Sequence, residues 1–194
     1  MVRYTRFLFA LLVLGTLSIA SAAVVDFNNF TPLGQTWSAV STGGLDFTFS
    51  GPGLMYVFDG TSPNGNGTPA LILGFDTSSQ VAITQTGGGA FDLNSFDMAI
   101  SWYSSAISTT VNLTADFLVG SPLTQTLTLI PDLQTYNLNL MGVTEVDVTG
   151  LASAGGYWVM DNVTYNAGAV PEPASLSLIG VGLIGLVLRF RRRK

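Results

Sequence analysis

Between residues 23 and 168 the chain contains no lysine, arginine, histidine or cysteine. All seven basic residues lie outside that stretch: Arg3 and Arg6 near the start, and Arg189, Arg191, Arg192, Arg193 and Lys194 at the end. Eleven carboxylates remain inside it: Asp26, Asp46, Asp59, Asp76, Asp92, Asp97, Asp116, Asp132, Glu145, Asp147 and Asp161. Nothing there can neutralise phosphates, so nucleic acid is excluded as a partner. The residue inventory likewise excludes nucleophilic triads, Cys–His pairs, zinc centres and phosphate-binding lysines. Two acids suffice for glycoside hydrolysis, which leaves a carboxylate glycosidase as the one open catalytic class. Against it, the acids are scattered singly along the chain. With no cysteine, an oxidising compartment adds no disulfides, and stability must come from burial or from bound metal ions.

Helical periodicity of useful length is also missing from this stretch. Apolar residues instead alternate at Leu45, Phe47 and Phe49, at Phe96, Met98, Ile100 and Trp102, at Val111, Leu113, Ala115 and Phe117, and at Tyr136, Leu138 and Leu140. Thr, Asn, Ser and Asp fill the opposite faces. Gly and Pro punctuate the runs at Gly51-Pro52-Gly53, Ser62 to Pro69, Gly87-Gly88-Gly89, Ser121-Pro122 and Gly155-Gly156. About ten to twelve short strands at this spacing predict an all-β, antiparallel β-sandwich of the jelly-roll type, with two packed sheets.

The two ends carry addresses. Arg3 and Arg6 precede the apolar stretch Phe7 to Ile19, and Ala20-Ser21-Ala22 follows with small residues where a signal peptidase needs them. Cleavage after Ala22 gives a mature chain beginning at Ala23. At the other end stand Val170-Pro171-Glu172-Pro173, an uncharged apolar run from Ala174 to Leu188, and the basic tail Arg189, Arg191, Arg192, Arg193 and Lys194. With Arg189 and Phe190 the run makes roughly 25 Å of helix, a short span against a hydrocarbon core of about 30 Å. The basic tail fixes its C-terminus in the cytoplasm.

That order of tripeptide, span and arginine-rich end resembles the PEP-CTERM sorting signal of Gram-negative bacteria. The resemblance implies recognition of Pro171, Glu172 and Pro173 by an exosortase of the inner membrane, with cleavage nearby. Two prolines hold such a strip extended and out of the helix, as a protease requires. The chain therefore divides into a signal-peptide helix over 1–22, an exported β-sandwich over 23–168, and a sorting signal with a transmembrane helix over 169–194.

Within the domain, the segment Tyr157 to Tyr165 is the most informative. Strict alternation puts Tyr157, Val159, Asp161, Val163 and Tyr165 on one face. Asp161 then interrupts an apolar row with no basic partner, so it must stay near solvent, accept backbone N–H bonds, bind a cation or become protonated. Calcium is the cation that suits an extracellular carboxylate. The strand is similar to the final strand of jelly-roll carbohydrate-binding modules, and this resemblance implies a structural calcium held by Asp161 with a residue near the first strand, for which Asp26 is the candidate. Tyr103, Trp158 and Trp37 are candidate sugar-stacking rings, since an exposed ring beside polar groups suits a pyranose.

The sequence thus reads as a non-enzymatic structural or adhesive protein of the exopolysaccharide or biofilm matrix. Its expected partners are signal peptidase, exosortase, the inner membrane as a transient anchor, and extracellular polysaccharide. The alternative is a calcium-supported carbohydrate-binding module.

Overall fold

The computed structural model describes residues 22–30, 35–59, 67–74, 78–101, 108–150 and 157–167. All regular structure among them is strand, and no helix among them is long and apolar enough to cross a membrane. The expected signal-peptide and transmembrane helices lie outside the described residues.

Eleven strands follow in chain order: β1 (Ala22–Val25), β2 (Ala39–Thr42), β3 (Leu45–Ser50), β4 (Leu54–Phe58), β5 (Ala70–Gly74), β6 (Gln80–Gln85), β7 (Phe91–Ile100), β8 (Thr109–Phe117), β9 (Leu123–Leu129), β10 (Gln134–Thr149) and β11 (Tyr157–Ala167). Each predicted alternation becomes a strand with its apolar side inward. Phe96, Met98 and Ile100 are buried from β7, and Val111, Leu113 and Ala115 from β8. Leu45 and Phe47 are buried from β3, with Phe49 packed against the same core.

The layers are joined rather than separate. One continuous antiparallel sheet runs β2-β3-β6-β10-β7-β11-β5-β4, with β8 and β9 continuing from β10, and β1 from β11. β10 makes this possible because its two halves serve different neighbours. Gln134–Val143 pairs with β7, whereas Val143–Thr149 pairs with β8 and, from Val146, with β6. Register shifts flank Leu140, and Asn139 and Gly142 have φ of 51° and 68°. Such bulges bend a strand and let it pass from one layer to the next. Short-range alternation cannot reveal a strand shared in this way, which is why two separate sheets were expected.

The halves then close on one core. Phe27, just after β1, packs edge-on against Phe47 of β3 with ring centroids 5.3 Å apart. The sheet ends are tied as well: Thr36 bridges Tyr56 of β4, Trp37 N donates to Met55 O, and Phe49 N donates to Ser38 O. Joining the ends removes open edges that invite aggregation. The β2–β3 hairpin turns on Gly43 and Gly44, whose φ values of 57° and 87° suit a two-residue type I′ turn. Tyr165 of β11 lies over that turn and donates its hydroxyl to Gly43 O at 2.7 Å.

Candidate functional site

Across β4, β5, β11 and β7 the sheet carries buried apolar side chains on both faces. Its inner face belongs to the main core. On its outer face, Tyr56, Ile72, Val159 and Ala99 form a row across four strands by register, continued by Leu133 against the same cluster. Tyr157 lies at one end of this face, where its ring occupies the space a side chain on Gly74 would need. The other end is polar. Asp161 of β11 pairs directly with Asp97 of β7, and Asp97 pairs with Thr135 of β10.

Two carboxylates facing each other across antiparallel strands repel unless each is well solvated or bonded. Here neutral donors hold them. Asp161 is fully buried. Its Oδ2 accepts from Thr68 Oγ1 at 3.0 Å and its Oδ1 from its neighbour's amide, Asn162 N, at 2.8 Å. Asp97 accepts from Thr135 Oγ1 at 2.5 Å and from Asn162 Nδ2 at 2.9 Å. Asn162 therefore serves both acids, one through its backbone and one through its side chain.

That double role depends on its conformation. Asn162 has φ of 49°, in the left-handed region that Asn tolerates better than most residues. The register between β11 and β7 shifts just after Asp161, so the strand carries one extra residue there. This corrects the alternation drawn from sequence. Asp161 shares the outer face with Tyr157 and Val159, whereas Val163 and Tyr165 join Trp158 and Met160 in the main core. The bulge flips the pattern midway along the strand.

The remaining expectations can be located. Asp26 lies just beyond β1, part-buried, and accepts from Asn28 Nδ2 at 2.8 Å. The carboxylate that the fold brings opposite Asp161 is Asp97. Calcium takes six to eight oxygens, and among the described residues no three acidic or other metal-binding side chains converge. The donors on Asp161 also point at the oxygens an ion would use.

Trp158 is 1% exposed and packs in the main core, so it presents no ring face to a sugar. Adjacent residues on a strand point to opposite faces, and Trp158 took the inner one. Trp37 is half-buried, edge-on to Phe30 with centroids 6.1 Å apart, and its indole N–H is buried without a hydrogen-bond partner. Tyr103, Ala20, Pro171, Glu172, Pro173 and the basic tail lie outside the described residues. Ala22 and Ala23 lie in β1, paired with Asn166 and Tyr165, so cleavage after Ala22 would leave Ala23 in the ladder.

Other acids are held in the same way. Asp46 accepts from Thr86 Oγ1, Asp92 from Gly142 N, and Asp147 from Gln80 Nε2. With no basic side chain in the domain, hydroxyl, amide and backbone donors replace ion pairs. At Asp147, burial first, then the charges of Glu145 and Asp116, raise the pKa above the usual carboxylate value.

Several solved structures are similar to part of this chain. A mutant of the carbohydrate-binding module CBM29-2, complexed with mannohexaose, is 14% identical, with a TM-score of 0.47 over 77% of this chain and 93% of its own. The module TmCBM61, complexed with β-1,4-galactotriose, is 13% identical, with a TM-score of 0.44 over 62% of this chain and 88% of its own. An exo-β-agarase is 14% identical, with a TM-score of 0.46 over 79% of this chain and 26% of its own. No curated protein matches the chain. Residues 169–193 match the PEP-CTERM protein-sorting motif. The chain carries that motif behind an all-β domain, which marks it as an exported, surface-destined protein processed at its C-terminus.

Proposed function

We propose that the chain is the precursor of a non-enzymatic component of the extracellular polysaccharide matrix. Signal peptidase releases its N-terminus, the 174–188 run anchors it in the inner membrane, and an exosortase cuts near Pro171-Glu172-Pro173 to free the β-domain. The observation that carries this reading is the sorting motif over 169–193. The absence of any basic side chain between residues 23 and 168 supports it. A domain of that composition stays soluble by its negative charge and does not adhere to nucleic acid or anionic lipid. Two carboxylate pairs are described on facing strands, Asp97 with Asp161 and Asp116 with Glu145. Catalysis by the first is disfavoured, because Asp161 has no exposed surface and cannot reach a glycosidic oxygen. The test is fractionation of cells with and without their exosortase. The β-domain should appear at the surface in the first and remain with the membrane in the second.

A second reading, carbohydrate binding by the delivered domain, is favoured by one feature. The outer face of β4-β5-β11-β7-β10 sets the partly exposed Tyr56 on the same side as Asp97, Thr135 and Asn162, which combines an aromatic ring with the hydrogen-bonding groups a sugar uses. A glycan array probed with the surface-released protein, with and without calcium, tests it. Retention on no glycan would leave the structural role alone.

A further inference from the structure

Six large apolar side chains are well exposed among the described residues, and three of them lie on two adjoining segments at one corner of the sheet. Leu118 is 70% exposed, Val119 88% and Met141 74%. Leu118 and Val119 follow β8 directly, and Met141 belongs to the bulged middle of β10. The two segments are bonded together, since Leu118 N donates to Gly142 O at 3.0 Å. Large apolar side chains exposed on adjoining segments mark a contact surface more often than scattered exposure does.

The position of the corner says what it contacts. Val143 of β10 pairs with Phe117 on one side and with Phe91 on the other, and Phe91 pairs in turn with Ala167. At about 4.8 Å per strand, Leu118 lies roughly 15 Å from the point where β11 ends. Six residues lie between Ala167 and Ala174, where the apolar run begins, which makes seven steps along the chain. Fully extended, they span at most about 25 Å. While the chain is anchored, this corner is therefore held within reach of the bilayer surface. Leu54, exposed at the opposite end of the fold, is not: it shares a row with Gly74 and Tyr157, ten residues and about 30 Å up β11.

We propose that Leu118, Val119 and Met141 form a membrane-resting corner that dips into the interface of a zwitterionic leaflet and steadies the anchored domain over the Pro171-Glu172-Pro173 strip. The proposal rests on the reading of 174–188 as a membrane anchor. Nearby charges are the carboxylates Asp92, Asp116 and Glu145, so anionic lipid is repelled and insertion is apolar in origin. Three side chains bind weakly by themselves. A tether raises their effective concentration at the surface, so the contact persists before cleavage and lapses after it.

The chain has no cysteine, so a single introduced thiol is a unique label site. Full-length L118C and, separately, V119C carry an environment-sensitive fluorophore in phosphatidylcholine vesicles containing bromine-quenched acyl chains, with L54C as the reference. The expected result is severalfold stronger quenching at L118C and V119C than at L54C, falling to the L54C level when 20% anionic lipid is included at low salt. Equal quenching at all three sites, in protein that still floats with the vesicles after an alkaline wash, overturns the resting corner while leaving the anchor intact. Protein that the wash strips from the vesicles overturns the anchor and the corner together.

Discussion

Asp161 shows how a domain without cations keeps a carboxylate in its interior. Thr68 Oγ1 and Asn162 N each donate to it, which avoids the cost of about 1–3 kcal/mol that an unsatisfied buried acceptor would carry. In Asp161→Asn one of the two oxygens becomes an NH2 that meets a donor. The variant should lose about 1–3 kcal/mol of stability, equally in EDTA and in millimolar calcium, as read by chemical denaturation. A loss confined to calcium-containing buffer would point instead to a metal site at Asp161. Asp147 behaves in the opposite sense. Its folded-state pKa is raised by burial and by Glu145 and Asp116, so the folded form holds the proton more tightly than the unfolded chain. The resulting stabilisation is complete below the unfolded value of about 4 and is lost as pH rises through the raised value. Asp147→Asn should therefore raise the melting temperature at pH 7 and flatten its rise on mild acidification. An unchanged pH profile in the variant would remove Asp147 as its source.

At the scale of elements, the turn of one hairpin is locked by a residue from a distant strand. Gly44 has φ of 87°, and a Cβ there would collide with the Tyr165 hydroxyl. Gly44→Ala should cost about 1–3 kcal/mol through overpacking and backbone strain, and Tyr165→Phe about 1 kcal/mol through its lost bond to Gly43 O. Combined, they should cost less than their sum, because removing the hydroxyl makes room for the methyl. Additive losses in a denaturation cycle would show that the two do not meet. Much at this scale was legible beforehand. Alternation at Phe96, Met98 and Ile100, and at Val111, Leu113 and Ala115, sets β7 and β8 with the correct faces inward, and Gly87-Gly88-Gly89 marks a turn in which all three φ values are positive. The candidate site was half legible. Asp161 stood out as a carboxylate in an apolar row with no basic partner. Asp97 as its neighbour did not, because that pairing joins residues 64 apart through a register that no local pattern encodes. The bulge at Asn162 was hidden for a similar reason: Asn is common in strands of this chain, and only the paired strand reveals which one adopts a positive φ. Trp158 points inward because its strand neighbours bury it, so one ring of a Tyr-Trp pair cannot be assigned a face from sequence alone.

Taken as a whole molecule, the domain carries eleven carboxylates between residues 23 and 168 and no basic side chain to offset them. Their mutual repulsion acts against the compact state and is screened beyond about 8 Å at physiological ionic strength. The surface-released protein should accordingly melt at higher temperature in 150 mM than in 10 mM sodium chloride, and a flat or falling melting temperature would mean that the acids are spaced too far apart to matter. On the proposed function, the charge, the fold and the sorting motif serve one course of events, in which an acidic β-domain is exported, held briefly at the membrane and cut free. The most direct test replaces Pro171, Glu172 and Pro173 together by alanine and follows the intact mass of the protein in membrane and surface fractions of an exosortase-bearing host. The unaltered chain should be recovered at the surface with its C-terminus near residue 171, and the variant should remain in the membrane with Lys194 still attached. Release of the variant at the same mass and in the same amount would contradict the account.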